Sequence, residues 1–520
     1  MNKKYLILFC CTLFSYAQEK QAEVNLQPSS KIPMTINSHA DITVPVVGIS
    51  LNELISVVVK QNAKMKYEKL NTEMKKQDID YEKGNFENEF FVNVEHTHTY
   101  KQNSIQESIA RDDQSIYKED VSSADVGIRG VNIYGTQWSA TAKTYSTESS
   151  LIDESNIGID KEYVSALYLE VKQPILKGFG SYIGETNINL AVLEDKVSKE
   201  EYKKKMMDLV EEIVVSYWKL YGSNEIYKTW KDTLEIITQQ KSDIQKKVRA
   251  GNMAKINLLQ IESALSSSKV EMFSSLDMVE KEKNNILSLL NSSSLQNSIL
   301  LETTDKPLIE KIEIPKLEDA INLSFENFPE FNIILNKIKQ SNLRINYAKD
   351  QMSPTLDFVG SINNDNLDKD LDGALSEVSS NDYISWYAGL NFSIPINGNL
   401  KASAELIKQK LKLKQVKLEE NNLKNTLINE LDLKIKNLNR NKLRILELNK
   451  TLEIKNEISK VYTLQLKYGK TNAKELMDIY ADAILAKRKY LKGIINIKVA
   501  EAILYKAMGT LLEKHNININ

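Results

Sequence analysis

Chain breakers are scarce in this sequence: 18 glycines and 9 prolines in 520 residues. With so few of the two strongest structural punctuators, long uninterrupted elements are expected. Cysteine is scarcer still, with Cys10 and Cys11 the only two, so beyond residue 11 there is neither a disulfide nor thiol chemistry. Charge of one sign is also missing. Lys and Arg number 68 against 70 Asp and Glu, a net charge of −2, which gives no basic surface for nucleic acid. No run of 18 apolar residues occurs, which argues against a helical membrane span. There are 4 histidines, no phosphate loop and no nucleophile beside a base, so no enzyme activity and no cofactor are expected.

What is present begins at the N-terminus. Lys3 and Lys4 precede an apolar run from Tyr5 to Phe14, and Ser15-Tyr16-Ala17 follows with small residues where a signal peptidase reads. This pattern predicts a secretory signal peptide over residues 1–17, too short to span a bilayer. Phe9 before Cys10 does not fit a lipoprotein signal. Residues 18–50, polar and holding Pro28, Pro33 and Pro45, read as a flexible leader.

An internal repeat organises the rest. Met206, Ile213, Leu220, Tyr227 and Leu234 recur at sevens, and Leu431, Leu438, Ile445 and Leu452 lie 218 residues after the last four. The same offset links Gly251 to Gly469, Leu258 to Leu476 and Ile261 to Ile479. Two repeats, 51–300 and 301–520, each read as helix, strands, Pro, Gly, long helix, Gly turn and shorter helix. Nearly unbroken helical patterns over 186–250 and 400–468 would each run about 100 Å at 1.5 Å per residue. Heptads of that length point to a coiled-coil-like bundle, with two half-length helices stacked end to end against each long one.

Alternation of period two marks the strands. Phe90, Val92 and Val94 alternate with polar residues, as do Leu167, Leu169 and Val171, and Trp386, Ala388, Leu390, Phe392 and Ile394. Aromatic residues gather at the strand ends: Trp138, Tyr145, Tyr163, Tyr383, Trp386 and Tyr387. In a secreted chain this suggests a membrane barrel; a soluble β cap on the bundle is the alternative. One chain offers four to six strands, whereas the smallest membrane barrels have eight, so several chains must close it together. The fold class is therefore mainly α with a β-barrel: long coiled-coil-like helices joined to a barrel that oligomerisation completes.

At QPILKGFG (173–180), a strand hands over to a long helix, and FSIPINGNL (392–400) repeats the handover. The segments VRAGNMAKINLLQIESAL and LKYGKTNAKELMDIYADAI form the paired turns. Together these resemble the outer-membrane efflux proteins typified by TolC. The resemblance implies a homotrimer with a twelve-stranded barrel in outer-membrane lipid and a helical tunnel in the periplasm. It also implies docking to a periplasmic adaptor protein and an inner-membrane pump. Pro174, Gly178, Pro395 and Gly398 would be its strand-to-helix junctions. Ala250, Gly251, Asn252, Leu258, Tyr468, Gly469 and Leu476 would form adaptor-docking tips, although Gly after a helix is also an ordinary C-cap. Glu475 and Asp478 would ring the pore constriction, tripled by symmetry into a cation-preferring ring.

For those two acids a plainer reading stays open: Asn472 and Glu475 as a helix cap, and Asp478 as a solvated residue. Copy one has Asn257 and Gln260 at their positions, and Thr471 stands where the family carries a basic gating residue. Two further metal candidates are weaker. His96 and His98 share a strand face without a third ligand in view, and Asp368, Asp370 and Asp372 begin a calcium-loop pattern whose twelfth position is Ser379. A type I protein-secretion channel and a secreted coiled-coil scaffold without a pore are the rival functions.

Overall fold

A computed structural model describes residues 46–518, apart from 112–113, 154–158, 293–299 and 379–382. The signal peptide, most of the leader, His39 and Ser379 lie outside the described residues. The chain divides into Met1–Pro45 and Val46–Asn520, and the described residues all lie in the second unit. Its first half runs β1 (Val46–Ile49), α1 (Leu51–Gln61), α2 (Ala63–Gly84), β2 (Glu89–Gln102), α3 (Ile105–Ala110), β3 (Ile116–Val131), β4 (Gln137–Ser149), α4 (Ser150–Asp153), β5 (Glu162–Pro174), α5 (Ser181–Gly184), α6 (Thr186–Arg249) and α7 (Lys255–Leu289). The second half runs β6 (Leu300–Thr303), α8 (Leu317–Asn327), α9 (Pro329–Asp350), β7 (Thr355–Asp368), α10 (Leu371–Glu377), β8 (Ile384–Ser393), α11 (Leu400–Lys467), α12 (Ala473–Ala507) and α13 (Leu511–Lys514).

The helices of the halves match in length. α1 and α8 each have 11 residues, α2 and α9 each 22, and α7 and α12 each 35, while α6 has 64 and α11 has 68. The expected end-to-end stacking occurs. Asn62, which caps α2, donates from Nδ2 to the carbonyl of Leu289 at the end of α7, 2.9 Å away. In the second half Ser324 Oγ donates to the carbonyl of Ala507 at 2.7 Å, joining α8 to the end of α12. α6 packs on α2 and α7, α11 packs on α9 and α12, and α6 also meets α9 and α12, tying the halves together.

The seven-residue rows explain that packing. Met206, Ile213 and Leu220 on α6, and Leu431, Leu438 and Ile445 on α11, are buried in one core with Leu54, Ile494, Ile497 and Leu504. Each such side chain contributes about 1.5–3 kcal/mol through burial. The first row does not continue as expected: Leu234 is half-exposed, and Ile237 and Ile244 take over the seam into a second core near the tips. A straight helix drifts about 20° per heptad, so over four heptads the buried row must move to new positions.

The leader expectation needs a correction at its end. Val46–Ile49 is not loose chain but pairs in parallel with Leu300–Thr303, across the residue 300/301 boundary drawn between repeats. Ser50 then opens α1 with a capping box to Glu53.

A six-stranded antiparallel sheet follows the order β2-β3-β4-β5-β7-β8. Six strands per chain departs from the four that a twelve-stranded trimer requires. The excess lies in the first half, where β3 and β4 form an added hairpin between β2 and β5. Register aligns the oily residues in rows: Phe90, Ile128, Ala140, Leu169, Ile362 and Trp386 lie side by side, and next to them Val92, Val126, Ala142, Leu167 and Ile384, a row broken only at Asn364 of β7. The opposite face carries Asp125, Lys143, Glu170, Lys172 and Asp357, with Lys143 beside Asp125 and Lys172 paired to Asp357 at 3.1 Å. The aromatic residues do not all sit on the oily side: Trp138, Tyr163 and Trp386 do, whereas Tyr145 and Tyr387 share the polar face. None of the helices in the described residues is long and apolar enough to cross a membrane.

Candidate functional site

The two junctions lie where the sheet hands over to the long helices. Pro174 is the last residue of β5, opposite Asp357, and Ile175 N–H still donates to the Leu356 carbonyl at 2.7 Å. Pro lacks a donor, so the strand can end there without an unpaired N–H. Gly178 and Gly180 then take φ of +83° and +96°, a region that side chains disfavour. The Gly178 N–H is held by both carboxylate oxygens of Asp350, at 3.1 and 3.0 Å, which pins this turn to the end of α9. At the second junction, Pro395 lies two residues beyond β8 and Gly398 has φ +76°. Asn399 caps α11 through its side chain and donates to the Gln351 carbonyl at 3.0 Å. Both junctions therefore anchor to the end of the same helix, α9.

The opposite ends of the long helices form two tips of one geometry. Gly251 (φ +71°) and Gly469 (φ +73°) follow C-caps Ala250 and Tyr468. Asn252 N–H bonds the Lys247 carbonyl and Lys470 N–H bonds the Gln465 carbonyl, both at 2.9 Å. This is the Schellman arrangement, in which a left-handed Gly lets late amides satisfy the last helical carbonyls. Ala250, Gly251, Asn252, Tyr468 and Gly469 are exposed, Leu258 is half-buried and Leu476 is 0% exposed. Leu476 therefore supports the tip from within, packed with Ile237, Ile244, Ile261 and Leu466.

The acids named in advance sit on the second tip helix, α12. Asn472 Oδ1 accepts the Glu475 N–H at 2.9 Å, and Thr471 Oγ1 donates to the Glu475 carboxylate at 2.7 Å. The cap and the acid are thus one unit: Thr471 engages Glu475 directly. Asp478 is exposed on the next turn. Sequence reading missed Asp482, which continues the stripe at positions i, i+3 and i+7 and pairs with Lys455 of α11 at 2.6 Å. Its spacing from Glu475 was the available signal. Also missed was Tyr480, whose hydroxyl lies 2.8 Å from Thr463 Oγ1 on α11 and accepts from Gln240 Nε2 on α6 at 3.0 Å. With Lys247 donating to the Lys467 carbonyl (2.9 Å) and Arg488 paired to Glu271 (3.0 Å), these contacts tie the two tip hairpins into one body. On the first tip, Ile256 and Leu259 are more than half exposed.

The other candidates resolve differently. Asp370 caps α10, accepting the Gly373 N–H at 2.8 Å, and Asp368 accepts the Lys369 N–H at 2.6 Å, so these carboxylates serve local turns. His98 Nδ1 lies 2.8 Å and His96 Nε2 3.5 Å from one Asp120 oxygen, on the oily-face side above Val94. Among the described residues no three His, Cys, Asp or Glu side chains are arranged to hold a metal.

No protein-family model and no curated protein sequence matches the chain. Solved structures do. A membrane protein from Pseudomonas aeruginosa superposes with a TM-score of 0.63 at 14% identity, covering 93% of this chain and 97% of its own. The CmeC outer membrane channel of Campylobacter jejuni gives 0.61 at 14%, covering 95% and 99%. The MtrE outer membrane channel of Neisseria gonorrhoeae, in its open state, gives 0.60 at 15%, covering 94% and 97%. Over nearly its whole length, the chain has the fold of the TolC-type outer-membrane channels.

Proposed function

We propose that this protein is the outer-membrane channel of a tripartite export system, acting as a homotrimer and a passive conduit from periplasm to exterior. The observation that carries this reading is the sheet with rows of oily residues along one face, joined at two Pro/Gly junctions to helices of 64 and 68 residues that end in matched tips. A face of that kind suits lipid, and at 10 to 16 residues the strands reach the length a tilted transmembrane strand needs. Open edges in lipid would leave backbone donors unpaired at several kcal/mol each, which supports assembly of several copies. The helices reach into the periplasm, where the exposed tips dock an adaptor linked to an inner-membrane pump. Glu475 and Asp478, tripled by symmetry, line the entrance and favour cations, while Asp482 on the same stripe is paired with Lys455. The channel makes and breaks no bonds, uses no cofactor and binds no nucleic acid.

The test is single-channel conductance of the purified protein in planar bilayers, beside a Glu475→Ala/Asp478→Ala variant. Cation-selective steps that grow and lose selectivity in the variant are expected. Steps unchanged by the variant would remove those acids from the entrance. Well-folded protein that carbonate washing strips from membranes and that never conducts would favour the pore-free scaffold.

A further inference from the structure

The hairpin β3–β4 is built as barrel wall. β3 pairs with β2 from Glu89↔Arg129 to Gln102↔Ile116 and with β4 from Glu119↔Ser149 to Val131↔Gln137, while β4 pairs with β5 from Gln137↔Lys172 to Thr147↔Glu162. No pairing between β2 and β5 bypasses it. Its side chains continue the pattern on either side: Val126, Ile128, Ala140 and Ala142 extend the oily rows, and Asp125 and Lys143 extend the polar face. A hairpin lying outside a closed wall would have no reason to alternate in step with both neighbours.

Its turn is seated at the same level as the strand-to-helix junction. Asn132 and Thr136 close the turn by backbone bonding at 2.9 Å, and the Tyr134 carbonyl accepts the Gly180 N–H at 3.4 Å. A Cβ on Gly135 would lie 2.6 Å from the Gly178 carbonyl oxygen, and one on Gly184 would lie 2.0 Å from that of Ile133. The turn thus fits the junction closely enough to require glycine on both sides.

The sheet's two edges remain open among the described residues, since β2 pairs only with β3 and β8 only with β7. β2 leaves the helical end and β8 returns to it, so the edges run in opposite directions. β8 of one copy can therefore pair antiparallel with β2 of the next, and the partner each edge fits is a second copy of this chain. Resting on the trimeric channel proposed above, we infer that three copies close an eighteen-stranded barrel by this pairing, with β3–β4 in the wall of each third. Barrel diameter grows roughly linearly with strand number, so the lumen is about half again as wide as that of a twelve-stranded barrel. Eighteen strands is porin-sized, which leaves an open aqueous outlet, and any constriction lies at the helix tips.

The experiment is electron cryomicroscopy of the full protein in lipid nanodiscs, with mass from light scattering and two cysteine pairs in separate variants. Three copies around eighteen strands are expected. Val92→Cys/Val126→Cys, directly opposite in register, should oxidise nearly completely to an intramolecular disulfide. Val92→Cys/Leu167→Cys should remain reduced, because three strand spacings of about 4.8 Å separate the pair, beyond disulfide reach. Twelve strands from two copies would overturn the inference and the homotrimer together, whereas twelve from three copies with the hairpin extruded would overturn the inference and leave the channel reading standing. Efficient linking of residues 92 and 167 would do the same, since only direct β2–β5 pairing brings them together. A soluble particle with no barrel would instead defeat the channel reading itself.

Discussion

The two halves of this protein agree in their helices and disagree in their strands. Three helix pairs match residue for residue in length, and the tips repeat the same left-handed glycine with φ values 2° apart. Yet the first half puts four strands into the large sheet and the second puts two. The difference follows from what each region must pack against. The matched helices are stacked end to end, α2 on the end of α7 and α8 on the end of α12, so a change in the length of one would displace its neighbour. By contrast α6 and α11, which run from junction to tip, differ by four residues. A sheet that closes by adding copies can accept a further hairpin wherever the hairpin alternates oily and polar in step with its neighbours. Insertion by hairpins keeps the strand number even and the edges antiparallel, so closure survives.

The equivalence of the helical halves can be attacked most strongly at the core. Ile213→Ala and Leu431→Ala sit 218 residues apart and both are fully buried. Each should cost about 2–5 kcal/mol, and thermal or denaturant unfolding should show nearly equal losses. A loss confined to one variant would mean that the halves share a pattern without sharing a load. At the tips, Gly251→Ala and Gly469→Ala should each cost about 1 kcal/mol, because no contact blocks the new Cβ and the strain comes from the left-handed backbone alone. Unequal costs in the same unfolding measurement would show that the tips differ in more than sequence.

The acids mark where the tips part company. Moving them, with Glu475→Asn/Asp478→Gln in one copy and Asn257→Glu/Gln260→Asp in the other, should restore part of the cation preference lost in the first pair alone, as read by reversal potentials. If the transposed acids restore nothing, the first tip does not face the conduction path.

The smallest effect concerns α13, which follows α12 at the end of the second half. His515 Nδ1 lies 3.1 Å from Asn52 Oδ1 on α1, and burial, assisted by the Lys514 charge and opposed by Glu501, lowers its pKa to about 4. An unfolded histidine takes up its proton near pH 6.5, whereas this one resists until about 4. Stability from this contact is therefore complete above about pH 6.5 and declines as pH falls toward 4. Protection factors of the amides at residues 511–517, taken relative to intrinsic exchange at each pH, should fall between pH 7 and 5 in the wild type, and a His515→Gln variant should lose that pH dependence.

Much of this was legible beforehand because helices and tips are local. Sevens on α6 and α11 reported their buried faces, and Gly after a helix reported its C-cap. Leu234 shows the limit: a strict heptad cannot register the slow rotation of a real helix, and Ile237 replaced it in the core. Sequence alone bounds the number of strands at four to six, because alternation marks a strand without saying which neighbour it takes. In sequence Thr471 is only the absence of a basic group; in the fold its hydroxyl donates to Glu475.

By itself the sequence determined the duplication, the long helices, the positions of both junctions and both tips, and the oily faces of β2, β5 and β8. These are set by periodicity, by the donor that Pro lacks and by the backbone freedom of Gly, all of which act within a few residues. Tertiary structure alone decided that β3 and β4 enter the sheet between β2 and β5, that Tyr480 joins three helices, and that α9 anchors both junctions. Those depend on which distant segments meet, and contact between distant segments is the one property that no local pattern carries.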